Sequence, residues 1–277
     1  MVISKRKFAV NTIWLLAGTL LTRAISAGAL ILIARQLGVE RYGQFVASQS
    51  ITGLTTVLFT LGMEGLLLRE GGKNRERLPQ LMASGVVLVL VLGIPWIAGI
   101  TLASSWLDTT VFVPGFVALS ALAFWLDGLS MIAWSSFKAV LKNHVVLALM
   151  ASAQIVWLGL VGVCVVLQVR EPQIYLLGSA ASSLLATTTS LWYARRTFGW
   201  QFERSLVIPV ARASVPFALS IAFALIYGKA DVSIVAYSLG KIAAGWYGPA
   251  IAMVSALVLI PVAMYGVLVP TLSRLHA

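Results

Sequence analysis

The chain has 277 residues, 60% of them apolar and only 10% charged, whereas an ordinary soluble domain has about 25% charged. Mean hydropathy is +0.95, and apolar runs of about 18 residues or more recur along the whole length, which excludes a soluble domain and implies bilayer-spanning helices. The net charge of +11 would suggest nucleic acid in a soluble protein, but here the charges sit in alternate loops, where they set orientation in a membrane.

Lys5-Arg6-Lys7 ahead of an apolar run, with Ala27-Gly28-Ala29 downstream, has the outline of a cleavable signal. The run continues through Leu30 to Ala34 and carries Arg23 in its middle, so a retained first helix is expected. Eight transmembrane helices follow from the hydropathy, at 9–34, 44–68, 81–104, 112–136, 145–168, 173–194, 213–238 and 245–270. Each is long enough to cross about 30 Å of hydrocarbon at about 1.5 Å per residue. The expected fold is therefore an all-α integral membrane protein.

Basic residues alternate between its connections. Lys5, Arg6, Lys7, Arg69, Lys73, Arg75, Arg77, Lys138, Lys142, Arg195, Arg196, Arg204, Arg212 and Arg274 give 14 on one side; Arg35, Arg41, Arg170 and Lys241 give four on the other. That asymmetry puts both termini in the cytoplasm. Pro95, Pro216 and Pro261 fall inside the spans and are expected to kink or break them. Ala24 with Gly28 and Gly178 with Ser182 have the spacing of close-packed helices. Trp96, Trp106, Trp192 and Trp246 stand near span ends, where indoles anchor at the interface.

Enzyme signatures are missing. Gly71-Gly72-Lys73 lacks the upstream glycine and the following Ser/Thr of a phosphate loop. His144 and His276 have no nearby carboxylate or cysteine with which to hold a metal, and Cys164 is alone in an apolar run. No cofactor is expected. The candidate site residues are the ionisable ones inside spans: Arg23 in the first, Glu64 in the second, Asp127 in the fourth, Lys229 and Asp231 in the seventh. A charge there costs about 2.5–3.5 kcal/mol by insertion scales, so it faces either a wet cavity or an opposite charge. Lys229 and Asp231 are two residues apart, about 200° around a helix, and cannot both point at one partner.

The chain also repeats itself. Leu37-Gly38, Tyr42-Gly43 and Arg69 recur as Leu239-Gly240, Tyr247-Gly248 and Arg274, with 27 residues from Tyr to Arg in both copies. A basic residue precedes each, Arg23 and Lys229. Such duplication is how many transporters build two halves around a central site. The expected division is a six-helix first lobe, 1–205, and the first two helices of a second, parallel-repeat lobe, 206–277, incomplete at four helices short. Cations at mid-depth in both copies would attract an anion, held bidentately by Arg and as a point charge by Lys.

These residues carry a resemblance. Asn11-Thr12-Ile13-Trp14, Arg23, the run from Ala34 to Gly43, Gly62-Met63-Glu64 and Arg69-Glu70 resemble the opening of the polysaccharide-repeat flippases, the Wzx-type members of the multidrug/oligosaccharidyl-lipid/polysaccharide exporter superfamily. Lys229-Ala230-Asp231, Gly245 to Gly248, Pro261 and Pro270 to Arg274 resemble its later helices, so the similarity covers the whole chain. The resemblance implies a multi-pass bacterial inner-membrane protein that moves undecaprenyl-diphosphate-linked oligosaccharide outward for surface polysaccharide such as O-antigen and lipopolysaccharide. Its partners would be that lipid-linked oligosaccharide, membrane lipid, and polysaccharide polymerase and glycosyltransferases, with no nucleic acid. Arg23 and Lys229 would hold the diphosphate or acidic sugars; Asp127, Asp231 and Glu64 would neutralise them or couple movement to an ion. The alternatives are a cation-coupled drug exporter of the same superfamily and, because of the missing helices, a non-transporting scaffold for polysaccharide enzymes. A membrane glycosyltransferase would need a large acidic external loop, and the sequence has none.

The topology has a direct check. Cysteines placed at Asn74 and Phe202, both in basic loops, should resist a membrane-impermeant thiol reagent in intact cells and react after permeabilisation; strong labelling from outside would reverse the assignment.

Overall fold

A computed structural model describes the backbone of residues 5–275 and the side chains of residues 14, 18–228, 230–251 and 254. The side chains of Lys5 to Lys7, Lys229, Pro261, Pro270 and Arg274, and His276 entirely, lie outside the described residues. Among the described residues the chain is helical with no strand. The elements are α1 Lys5–Leu54, α2 Val57–Thr60, α3 Met63–Leu66, α4 Leu78–Ser104, α5 Pro114–Ala139, α6 Asn143–Val166, α7 Pro172–Phe198 and α8 Arg204–Leu275. A π-helical turn at Leu67–Gly71 and a 3-10 turn at Arg75–Arg77 lead into α4. Six segments are long and apolar enough to cross a bilayer, which makes this a multi-pass membrane protein.

Four expected spans, α4 to α7, match within a few residues. The others differ. The loop expected between the first two helices is a single bend at Gly38, φ 73° and ψ 170°, inside α1. A second bend, at Gly240 with φ 80° and ψ −175°, lies inside α8. Both torsion pairs fall in a region open essentially to glycine alone. No atom comes within 4 Å of a Cβ built on either glycine, so torsion alone demands the residue.

The expected helix 44–68 is interrupted. Thr52, Thr55, Thr56 and Thr60 turn their hydroxyls back onto the carbonyls of Ser48, Ile51, Gly53 and Thr56. Such back-bonding bends a helix. Leu61 and Gly62 then enter the left-handed region at φ 47° and 70°. The prolines expected to break spans do not end them, since α4 runs on through Pro95 and α8 through Pro216. α8 also starts nine residues earlier than the expected 213, because Leu206, Val207, Val210 and Ala211 pack on the core and keep this lead-in helical.

Three apolar clusters of described residues fill the bundle. The first joins α4 and α5 with Phe59, Met63, Leu66 and Leu67, the second joins α1, α6 and α7 around Ile33, Phe45, Val161 and Tyr175, and the third joins α1, α5 and α8 around Ala47, Phe112, Val117, Ala236 and Ala244. Trp96 belongs to the first rather than to the interface: it stacks on Phe59 at 4.4 Å and donates to Thr55 Oγ1 at 3.2 Å. Trp106 and Trp246 are exposed as expected, and Trp192 carries the Arg196 guanidinium 4.6 Å above its ring. Gly178 packs under Trp157, and Ser182 donates to the Ala153 carbonyl at 2.9 Å, whereas a Cβ on Gly28 would meet no atom within 4 Å.

The two bent helices touch backbone to backbone. A Cβ on Gly43 would collide with the Lys241 carbonyl, and one on Gly245 with the Val39 carbonyl. Gly38 and Gly240, Val39 and Lys241, and Gly43 and Gly245 are each 202 residues apart. The contact is therefore reciprocal, the pattern that two copies facing each other across a two-fold axis make. At the crossing the repeat runs at 202, so Gly43 corresponds to Gly245, not to Gly248 as the Tyr-Gly spacing suggests.

Gly62 packs as closely, against the backbone of Phe217 and Ala218 in α8. Gly43→Ala and Gly62→Ala should each lower thermal stability in detergent by about 1–3 kcal/mol. Gly28→Ala, with open space beside it, should leave the midpoint unchanged or slightly raised.

Candidate functional site

The limbs of α1 and α8, with Phe124 of α5, line a cavity of about 460 Å³. Arg23, Ser26 and Leu30 line it from the first limb of α1, and Tyr42, Phe45 and Gln49 from the second. Gly228 and Val232 face it from one limb of α8, Gly248 and Ile251 from the other. At the bends, Lys241 Nζ lies 2.6 Å from Glu40 Oε1, tying the two helices beside the glycine crossing. Next to it Arg41 donates to the Arg170 carbonyl at 2.6 Å and to Glu171 at 2.9 Å. Further along the limbs the Ser50 and Ser233 hydroxyls meet at 2.6 Å.

Arg23 is exposed to the cavity and has no carboxylate within salt-bridge distance among the described residues. A guanidinium keeps its charge at any physiological pH. An arginine on an apolar span that opens into a cavity is a ready anion receptor.

The other expected site residues go to different places. Asp127 on α5 lines a second chamber of about 380 Å³, enclosed by α1, α5, α6 and α7, and takes a hydrogen bond from Ser183. The two chambers share Ser26, Leu30, Phe45, Gln49 and Phe124, so Arg23 and Asp127 stand on adjoining spaces. Asp231 accepts from the Tyr247 hydroxyl at 3.0 Å, bracing the two limbs of α8 across the Gly240 bend. Offset by 202, the matching residues of α1 are Ala29 and Phe45, both in the buried apolar cluster. Glu64 lies among the short turns and holds Lys138 Nζ at 2.7 Å, lining neither chamber. Lys229 is on the helical backbone of α8, beside cavity-lining Gly228. Carried along the helices, the 202 offset sets Lys229 against Ala27, one turn from Arg23.

Sequence reading passed over Gln49, Gln154, Glu40 and Lys241. The amides were visible as isolated polar groups in apolar runs, which carry the same signal as a lone charge; Glu40 and Lys241 follow their bend glycines within two residues.

Two helices bent at glycine face each other across a largely apolar cavity that carries Arg23. The chain belongs to the family of polysaccharide biosynthesis proteins, which matches residues 8–276. No curated protein sequence matches it. In fold it is similar to the MATE multidrug transporter DinF-BH in complex with R6G, with a TM-score of 0.70 at 13% identity over 92% of this chain. A MOP superfamily transporter from Pyrococcus furiosus, described as having a binding pocket of reverse polarity, gives 0.59 at 12% identity over 96%. A MATE in complex with Br-NRF gives 0.58 at 15% over 95%. The chain spans 62% of the length of the first of these and 68% of each of the other two.

Because the Glu64–Lys138 pair is half-buried, a double-mutant cycle should resolve it. Glu64→Gln and Lys138→Met should each destabilise, and the pair together should cost less than their sum by about 1 kcal/mol; strict additivity would make the contact energetically silent.

Proposed function

We propose that the chain forms the substrate-holding part of a flippase for isoprenyl-diphosphate-linked oligosaccharide, with Arg23 as the receptor for the diphosphate. The observation that carries this reading is the exposed, carboxylate-free Arg23 in a cavity between two bent helices. Membership in the polysaccharide biosynthesis family gives the reading its substrate class. Diphosphate matches a guanidinium fork in charge and geometry. Lys229, one turn from Arg23 in the repeat register, would add a point charge to the same space, while Asp127 on the neighbouring chamber keeps the pair of spaces from being uniformly cationic. Asp231 and Glu64 act, on this reading, through the shape of α8 and of the turns around 64 rather than by touching substrate.

The same reading treats residues 1–205 as one lobe and 206–277 as the opening of a second, related to the first by an axis along the membrane normal, as in parallel-repeat transporters. The reciprocal glycine contact supports that relation. On this reading the protein sits in the bacterial inner membrane with both termini cytoplasmic, an orientation supported by the fourteen-to-four distribution of basic residues. Polysaccharide polymerase and glycosyltransferases would be its functional neighbours.

A drug-exporting reading is favoured by one observation: Asp127 has no cationic partner within salt-bridge distance among the described residues, which suits an organic cation. The fold it shares with DinF-BH is compatible with that.

Binding of a fluorescent isoprenyl diphosphate to the purified chain separates the two. Arg23→Ala should weaken binding by about tenfold or more, and Arg23→Lys by less, because a fork becomes a point charge. Equal affinity in all three proteins would remove Arg23 from the site.

A further inference from the structure

The chamber that holds Asp127 has a composition of its own. Its side-chain amides, carboxylate and hydroxyls are those of Gln49, Gln154, Asp127, Ser26, Ser179, Ser182 and Ser183. Aromatic rings of Phe45, Phe124, Trp134 and Trp157 make up much of the rest. Three of the hydroxyls are committed to the backbone, Ser26 to Thr22 at 2.9 Å, Ser179 to Leu176 at 2.7 Å and Ser182 to Ala153 at 2.9 Å. The amides are less committed. Gln154 Oε1 meets the Ser26 hydroxyl at 3.0 Å, which leaves its NH2 to donate elsewhere. The Gln49 side chain makes no hydrogen bond with a described residue. Asp127 takes one bond from Ser183, and a carboxylate has about four acceptor sites.

We propose that this chamber is a subsite for the sugar ring next to the diphosphate, read by Gln49, Gln154 and Asp127 and packed against Trp157. The proposal rests on the lipid-diphosphate reading of the Arg23 cavity. A pyranose presents hydroxyls that both donate and accept around its rim, and C–H faces that are apolar. Amides that donate and accept, a carboxylate that accepts, and indole surfaces match those two kinds of surface together. The volume, about 380 Å³, falls in the usual range for small-molecule sites, roughly 300–1,000 Å³. Trp157 is held in place by Gly178, where a Cβ would stand 3.2 Å from the ring. Trp134 is fixed by donation to Ser190 at 3.0 Å.

Position argues as strongly as composition. The first sugar is bonded directly to the diphosphate, so its subsite must adjoin the anion site. The chambers share five residues, with Arg23 on one and Asp127 on the other. A metal ion fits less well, since no group of three His, Cys, Asp or Glu side chains occurs among the described residues. An organic cation would have Arg23 as its neighbour, which disfavours it.

The test uses the full 277-residue chain in nanodiscs and three probes: farnesyl diphosphate, farnesyl-diphospho-N-acetylglucosamine, and rhodamine 6G. In the unaltered protein the sugar-bearing probe should bind about tenfold tighter than farnesyl diphosphate. The near-isosteric changes Gln49→Leu, Gln154→Leu and Asp127→Asn should each shrink that ratio by about threefold or more, because a hydroxyl loses its partner. Arg23→Ala should weaken both diphosphate probes and preserve their ratio. A ratio near one in the unaltered protein, or a ratio unmoved by all three changes, overturns the sugar subsite while the anion cavity stands on its Arg23 dependence. If Arg23→Ala moves neither diphosphate probe, the underlying reading fails with it. Rhodamine 6G binding that exceeds the sugar probe and collapses in Asp127→Asn would make the chamber a cation site and also overturn the proposal.

Discussion

Backbone meets backbone where Gly43 and Gly245 cross, and the cavity exists because of what that contact allows. Side chains at these two positions would drive α1 and α8 apart, since each Cβ points into a carbonyl of the other helix. With only hydrogen there, the helices approach backbone to backbone, and they stay in contact as far as the Ser50–Ser233 hydrogen bond at 2.6 Å. The bends at Gly38 and Gly240 turn each helix through torsions only glycine accepts readily. Small residues serve this purpose in membranes generally, where close packing rather than water exclusion drives helix association. The Glu40–Lys241 pair then ties the bends together by charge. It adds specificity to a crossing whose closeness is already decided by sterics.

Among the described residues, charge inside the spans follows one rule with one departure. Glu64 has Lys138, Asp231 has the Tyr247 hydroxyl, and Asp127 has Ser183. Each is therefore stabilised by a partner within the described structure. Arg23 is the departure: its counter-charge is missing among the described residues and its side chain opens into the cavity. In a low-dielectric setting such a group lowers its energy by hydration or by binding an anion. That is why the proposed anion site is built on Arg23 rather than on the paired residues.

Much of the architecture was legible in the amino-acid pattern because hydropathy runs as long as a bilayer is thick have few other meanings. α4 to α7 appear almost where the runs lie. The bends were not legible, since Gly38 and Gly240 sit in apolar stretches where a short loop and a single-residue break look alike. The prolines leave their helices continuous, α4 through Pro95 and α8 through Pro216, while the interruption at Leu61 and Gly62 is prepared by four threonines that bond back to the chain. The repeat was visible in two registers, Leu37-Gly38 with Leu239-Gly240 at 202 residues and Tyr42-Gly43 with Tyr247-Gly248 at 205. Tyr42-Gly43 and Tyr247-Gly248 look alike in sequence, yet the contact pairs Gly43 with Gly245. Steric demand at the crossing, not similarity of letters, decides the match. In the site, single charges were easy to see, while the uncharged amides Gln49 and Gln154 were masked by attention to charge, although the two kinds of residue cost a membrane span something for the same reason.

The central claim is that the space between α1 and α8 holds an anionic lipid head group on Arg23. A structure of the full chain with farnesyl diphosphate bound tests this most directly. The account predicts the two phosphates in the cavity bounded by Arg23, Gln49 and Gly228, with guanidinium nitrogens within hydrogen-bond distance of phosphate oxygens, about 2.7–2.9 Å. Phosphates bound elsewhere on the bundle, with Arg23 turned away and the cavity filled by lipid chains or water, would contradict it.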